Sequence, residues 1–236
     1  IEPYYVHTLH KNLFKNLAGD SLQADGLDLV EGDEAEALTY FAGNHTSTMG
    51  VFYHVVCRLV LHYYREEYEQ AVDVATQKFI TDEVIKDGTY TRVIYTFFTC
   101  LSMLAIRESG GLTKHDEKRY KKGRQDLNKW YELFAENFAC TWYLLLAEEA
   151  RIERRFEEAI EYYEKAQLAA KQTGSIMFES LSCELYAKFW FNRGQHRVAS
   201  VFMREAGYLY YRWGANGKLK CLENHYKSLF SQSVEV

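Results

Sequence analysis

Residues 142–213 read WYLLLAEEARIERRFEEAIEYYEKAQLAAKQTGSIMFESLSCELYAKFWFNRGQHRVASVFMREAGYLYYRW, and this stretch decides the fold. Trp142, Leu146 and Ala150 form one stripe at steps of four, flanked by Tyr143 and Ala147, as on one face of a helix. After Arg154-Arg155 the pattern resumes with Phe156, Ala159, Ile160, Tyr163, Ala166 and Ala170, and stops at Thr173-Gly174. A third run carries Cys183, Tyr186, Ala187 and Trp190 and ends at Asn192-Arg193-Gly194. The fourth carries Val198, Ala199, Phe202, Ala206, Leu209 and Trp213 and ends at Gly214. Two helical hairpins with short loops are expected in succession. They align: Ala147, Ala159 and Ala166 recur at one constant offset as Ala187, Ala199 and Ala206.

Small side chains at those offsets allow paired helices to approach to roughly 8–10 Å while aromatics fill the neighbouring holes. That is the requirement of a tetratricopeptide hairpin, although the usual period is nearer ~34 residues and the one here is longer. The expected architecture is therefore all-α, a right-handed α-solenoid of elongated tetratricopeptide-like hairpins. Working outward, Phe52 to Tyr63 and Tyr68 to Phe79 make an earlier hairpin, with Ala71 lying two repeat units before Ala159. Thr91 to Arg107 and Glu117 to Glu136 supply the unit between, joined around Ser109-Gly110-Gly111. The whole of 1–236 is read as one repeat domain. Its hairpins lie at 46–80, 90–136, 138–172 and 175–213, with a capping helix over 215–230. Residues 1–45 are expected to hold a partial hairpin (Tyr4 to Leu17), a Gly/Asp-rich loop and a short helix from Asp33 to Tyr40.

Composition agrees. The chain has 236 residues, 47% of them hydrophobic, and a single proline, Pro3, so long uninterrupted helices need no special cause. The net charge of −5 comes from 28 basic and 33 acidic residues interleaved along the chain, which offers no basic face for a nucleic-acid backbone. The mixed stretch Lys114 to Arg124 contains Asp116 and Glu117 and is read as a solvated helix start. Cysteines at 57, 100, 140, 183 and 221 are odd in number and form no CxxC pair, so no disulfide framework is expected. Their nearly constant spacing suggests small buried residues at similar points of a repeated unit. No signal peptide or membrane-length apolar run is present, and a reducing, cytoplasmic setting is expected. Beginning at Ile1, the chain reads as a piece of a longer protein.

Catalytic constellations do not assemble. Gly19-Asp20-Ser21-Leu22 has the letters of an esterase nucleophile motif but lacks the strand and base that chemistry needs. Gly214-Ala215-Asn216-Gly217-Lys218 is too short for a phosphate loop, and the eight histidines make no metal-binding spacing. The expectation is a non-enzyme with no cofactor and no metal.

The segment from Arg197 to Tyr226, RVASVFMREAGYLYYRWGANGKLKCLENHY, is more specific. Ala199, Phe202, Glu205, Ala206, Tyr208, Tyr210, Arg212, Trp213, Gly214, Ala215, Lys218, Leu222, Glu223 and Tyr226 resemble the end of the helical-repeat region of large multidomain sensor kinases. Phe156 to Ala170, Glu179 to Gly194 and Asn44 to Ala75 resemble that region too, although Asn44-His45-Thr46 lacks its arginine. The resemblance implies a place between an AAA-type ATPase and a GAF domain, in a chain that also carries a Ser/Thr-kinase-like domain and a histidine kinase. It implies a non-catalytic interaction and signal-relay module whose partners are neighbouring domains or a protein or peptide ligand. An alternative is the ligand- or peptide-sensing repeat region of an ATP-dependent transcription activator. On the tetratricopeptide register the concave face would present Tyr53, Tyr64, Tyr95, Glu148, Arg151, Lys188 and Asn192.

Overall fold

The computed structural model describes residues 48–77 and 90–231, together with a few positions between 13 and 19. Every regular element among the described residues is a helix, as an all-α chain requires. In chain order these are α1 (Thr48–Tyr64), α2 (Tyr68–Ala75), α3 (Tyr90–Glu108), α4 (Lys114–Leu133) and α5 (Ala135–Ile152). There follow α6 (Phe156–Thr173), α7 (Ile176–Asn192), α8 (His196–Trp213), α9 (Asn216–His225) and α10 (Lys227–Phe230). Most of the partial hairpin expected from Tyr4, the short helix expected from Asp33 and the Ser21 motif lie outside the described residues. The chain divides into two compact units, residues 1–123 and 124–236, with the division falling inside α4.

In the first unit α2 packs against both α1 and α3, and α1 packs against α3. Aromatic rings fill this contact. Phe98 meets Tyr63 at 5.1 Å and Tyr64 at 5.8 Å, and Phe52 meets Tyr95 at 5.4 Å. Gly123 allows α4 close to α3, since a Cβ there would lie 2.6 Å from Cys100 Sγ. The Arg107 guanidinium fastens the same hairpin, donating to both carboxylate oxygens of Glu117 at 2.9 Å.

The second unit repeats the arrangement. Helix α6 packs against α5 and α7, α5 against α7, and α7 against α8. Ala147, Ala159, Ala166, Ala187, Ala199 and Ala206 are all fully buried, which is what brings these helices together. Tyr186 then bridges elements, with Tyr163 of α6 at 5.1 Å and Phe202 of α8 at 4.5 Å.

The turns carry the repeat most sharply. After α1, α5 and α7 one residue takes a left-handed conformation: Glu66 (φ 65°), Arg154 (φ 60°) and Gly194 (φ 74°). The next N–H then bonds back to the carbonyl five positions earlier: Glu67 to His62 at 2.9 Å, Arg155 to Ala150 at 2.8 Å and Gln195 to Trp190 at 3.0 Å. This is the Schellman closure. Glu66, Arg154 and Gly194 follow one another at the same intervals as Ala71, Ala159 and Ala199, so turn and alanine repeat together.

Two expectations change. The segment read as one capping helix is two, α9 and α10, separated at Tyr226, whose ring stands edge-on to Phe191 at 5.4 Å. Cys57, Cys100, Cys140 and Cys183 are buried, but Cys221 is exposed on α9 and does not share their role.

Candidate binding surface

The seven residues singled out from sequence fall in several environments. On α1 and α3, Tyr53 is half-buried while Tyr64 and Tyr95 are buried. Tyr95 donates its hydroxyl to the Ala75 carbonyl at 2.7 Å, closing the C-terminal end of α2. Tyr64 sits ring-to-ring with Tyr63 and Phe98. Neither presents its ring to solvent. Large aromatics at helix-packing positions bury too much apolar surface to be left outside.

In the second unit Glu148 of α5 is buried and saturated. Arg151 donates to its Oε2 from Nε at 3.0 Å and from Nη2 at 2.8 Å, and the Tyr163 hydroxyl donates to its Oε1. Burial, then the Glu148 charge, raises Tyr163 well above the ordinary phenol range, so it remains a donor. Next to it, Glu149 accepts from Arg124 Nε at 2.7 Å, and that guanidinium lies 5.1 Å from the Trp142 ring. Together these contacts tie α4 and α6 to α5.

Lys188 belongs to a second buried centre. Glu184 Oε1 receives Lys188 Nζ at 2.7 Å and Lys218 Nζ at 2.9 Å, and Glu184 Oε2 receives the Tyr210 hydroxyl at 2.6 Å. The side chains of Glu184 and Lys218 are only 2% and 4% exposed. Burial alone would raise the carboxyl; the two ammonium groups overcome it and hold Glu184 down at about 2. One carboxylate thus joins α7, α8 and α9. Asn192, the last residue of α7, is exposed one turn beyond Lys188 and two beyond Glu184 on the same stripe.

Sequence reasoning named Lys188 and Glu148 but missed Glu184, Lys218, Tyr210 and Tyr163. A signal for Glu184 was present, because Glu-to-Lys at i, i+4 is the favoured orientation on a helix. Nothing local marks Lys218, whose partner Glu184 sits two helices earlier in the chain.

Burial pushes the Cys57 and Cys140 thiols up to about 12 and raises Cys183 further, so none of the three is a thiolate at neutral pH. Among the described residues no three His, Cys, Asp or Glu side chains are grouped to hold a metal ion. Among them, too, no helix is long and apolar enough to cross a membrane. Comparison of the chain with protein-family profiles, curated proteins and solved structures finds no match.

Proposed function

We propose that this chain is a non-catalytic helical-repeat scaffold, a right-handed solenoid of tetratricopeptide-like hairpins that binds a protein or peptide segment and relays its state. The observation that carries the reading is the recurrence of one turn geometry at Glu66, Arg154 and Gly194, at the intervals of the alanine repeat. The order of packing, first helix to second, second to next first, and first to next first, supports it in each unit. Of the seven residues singled out from sequence, Tyr53 in the first unit is half-buried and Asn192 in the second is exposed.

The resemblance of Arg197 to Tyr226 supports reading this scaffold as part of a multidomain sensor kinase, between its ATPase and its GAF domain. In that setting the repeats pass the state of the ATPase to the histidine-kinase output. The test is a pull-down against the neighbouring ATPase and GAF domains, run beside a thermal-shift panel of small metabolites. Domain binding that weakens on Asn192→Ala, without any metabolite shift, is the expected result. A saturable rise in melting temperature with one metabolite and no domain binding would overturn the relay and make the region a ligand sensor.

A further inference from the structure

We infer that α8 is a self-association surface, pairing antiparallel with α8 of a second copy of this chain about a two-fold axis between Arg204 and Glu205. Its outward face carries Val198, Val201, Tyr208 and Tyr211, which are 36%, 56%, 60% and 65% exposed. Positions 198, 201, 205, 208 and 212 alternate steps of three and four, the spacing of a helix–helix seam. The outward face of α6 is unlike it: Glu157, Glu158, Glu161, Glu164 and Lys165 make an ordinary solvated surface.

Leu168 of α6, 58% exposed, widens the patch. Lys171 Nζ of α6 lies 3.4 Å from Glu205 Oε1 of α8, and Leu168 is one turn before Lys171 as Val201 is before Glu205. The capping helices leave the face open because they occupy a different one. Ser200 donates to the Leu229 carbonyl at 2.6 Å, and Gly207 lies against Phe230 and Leu219.

Size and charge select a second copy as the occupant. With roughly 200 Å² for a fully exposed tyrosine, the five side chains leave on the order of 500 Å² uncovered. A stable interface takes about 800 Å² from each partner, and about two-thirds of it is apolar in homodimers, so this patch supplies the apolar share. Antiparallel pairing about 204/205 sets Val201 against Tyr208, Val198 against Tyr211 and Arg204 against Glu205, each twice. A parallel pairing would set Glu205 against Glu205. The one like-charge match, Arg212 against Arg197, falls at the two ends, in solvent, where crossing helices diverge.

Sedimentation velocity of the full chain tests this, with circular dichroism to confirm that every variant is folded. Dimers are expected at protein concentrations up to roughly 100 µM, within reach of an interface of this size. Tyr208→Lys should abolish them. Glu205→Arg should weaken association by about tenfold or more, since two like-charge pairs replace two opposite ones, and the double exchange Glu205→Arg with Arg204→Glu should restore it. A wild-type chain that stays monomeric, a dimer indifferent to Tyr208→Lys, or a double exchange that fails to rescue would each overturn the pairing.

Discussion

Replacing Glu184 by glutamine removes the charge that holds three helices together, and the consequence can be worked from the structure. The variant leaves the ammonium groups of Lys188 and Lys218 facing a neutral amide in a site where Lys218 is 4% exposed. Breaking one partner of a buried charge cluster costs about 3–5 kcal/mol. Linkage gives an independent figure. Glu184 falls from an ordinary 4.5 to about 2 on folding, which corresponds to ~3 kcal/mol. The folded value is depressed, so this stability is fully present above pH 4.5 and is lost as the pH falls towards 2. All four tryptophans, at 130, 142, 190 and 213, lie in the unit of residues 124–236. Tryptophan fluorescence in urea therefore reports the unit that contains the cluster, and sidesteps the question of whether the whole chain unfolds in one step. At neutral pH, Glu184→Gln should lower the stability of that unit by about 3 kcal/mol. Between pH 4.5 and 2 the wild type should lose a comparable amount that the variant no longer has to lose. A loss below about 1 kcal/mol, the range of an exposed ion pair, or an acid slope unchanged by the substitution, would refute the account of this centre.

Three further outcomes follow from particular contacts. Arg154→Gly should raise the thermal midpoint of the second unit, because a non-glycine residue at φ 60° carries about 1 kcal/mol of strain that glycine lacks; the reverse change, Gly194→Ala, should lower it by a similar amount. Gly207→Val should loosen the cap, since a Cβ at 207 would lie 3.0 Å from Phe230 Cε1 and 3.1 Å from Leu219 Cδ1; faster proteolysis after residue 214, at a cost of about 1–3 kcal/mol, is the expected readout. Iodoacetamide on the native protein at neutral pH should label Cys221 and spare Cys57, Cys100, Cys140 and Cys183, which mass spectrometry of the digest will show.

How much of this was legible follows from what each level of structure requires. Helices announce themselves through local periodicity, so the bounds read at Gly174, Asn192 and Gly214 fall within a residue or so of the observed ends. The alanine register was legible for a related reason: close helix approach admits only small residues, and such positions survive as a pattern in composition. The breaks at Glu66 and Arg154 were read from interrupted periodicity, but their left-handed geometry was not, because neither residue is glycine, whereas Gly174, Gly194 and Gly214 show that marker. The binding candidates fared differently because exposure is a tertiary property. A register could place Tyr64 and Tyr95 on first helices, but not tell that Phe98 and the Ala75 carbonyl would claim them. Charged residues followed the same logic in reverse. Glu148 and Lys188 were chosen as surface groups, yet Glu148 is claimed by Tyr163 of the next helix, and Lys188 by Glu184 of its own helix, which Lys218 of α9 shares. What distinguishes a binding residue in a stack of hairpins is therefore not its polarity but whether the next helix has already satisfied it. On that criterion a binding face is sought where side chains stay exposed, as at Asn192 and along the outward stripe of α8.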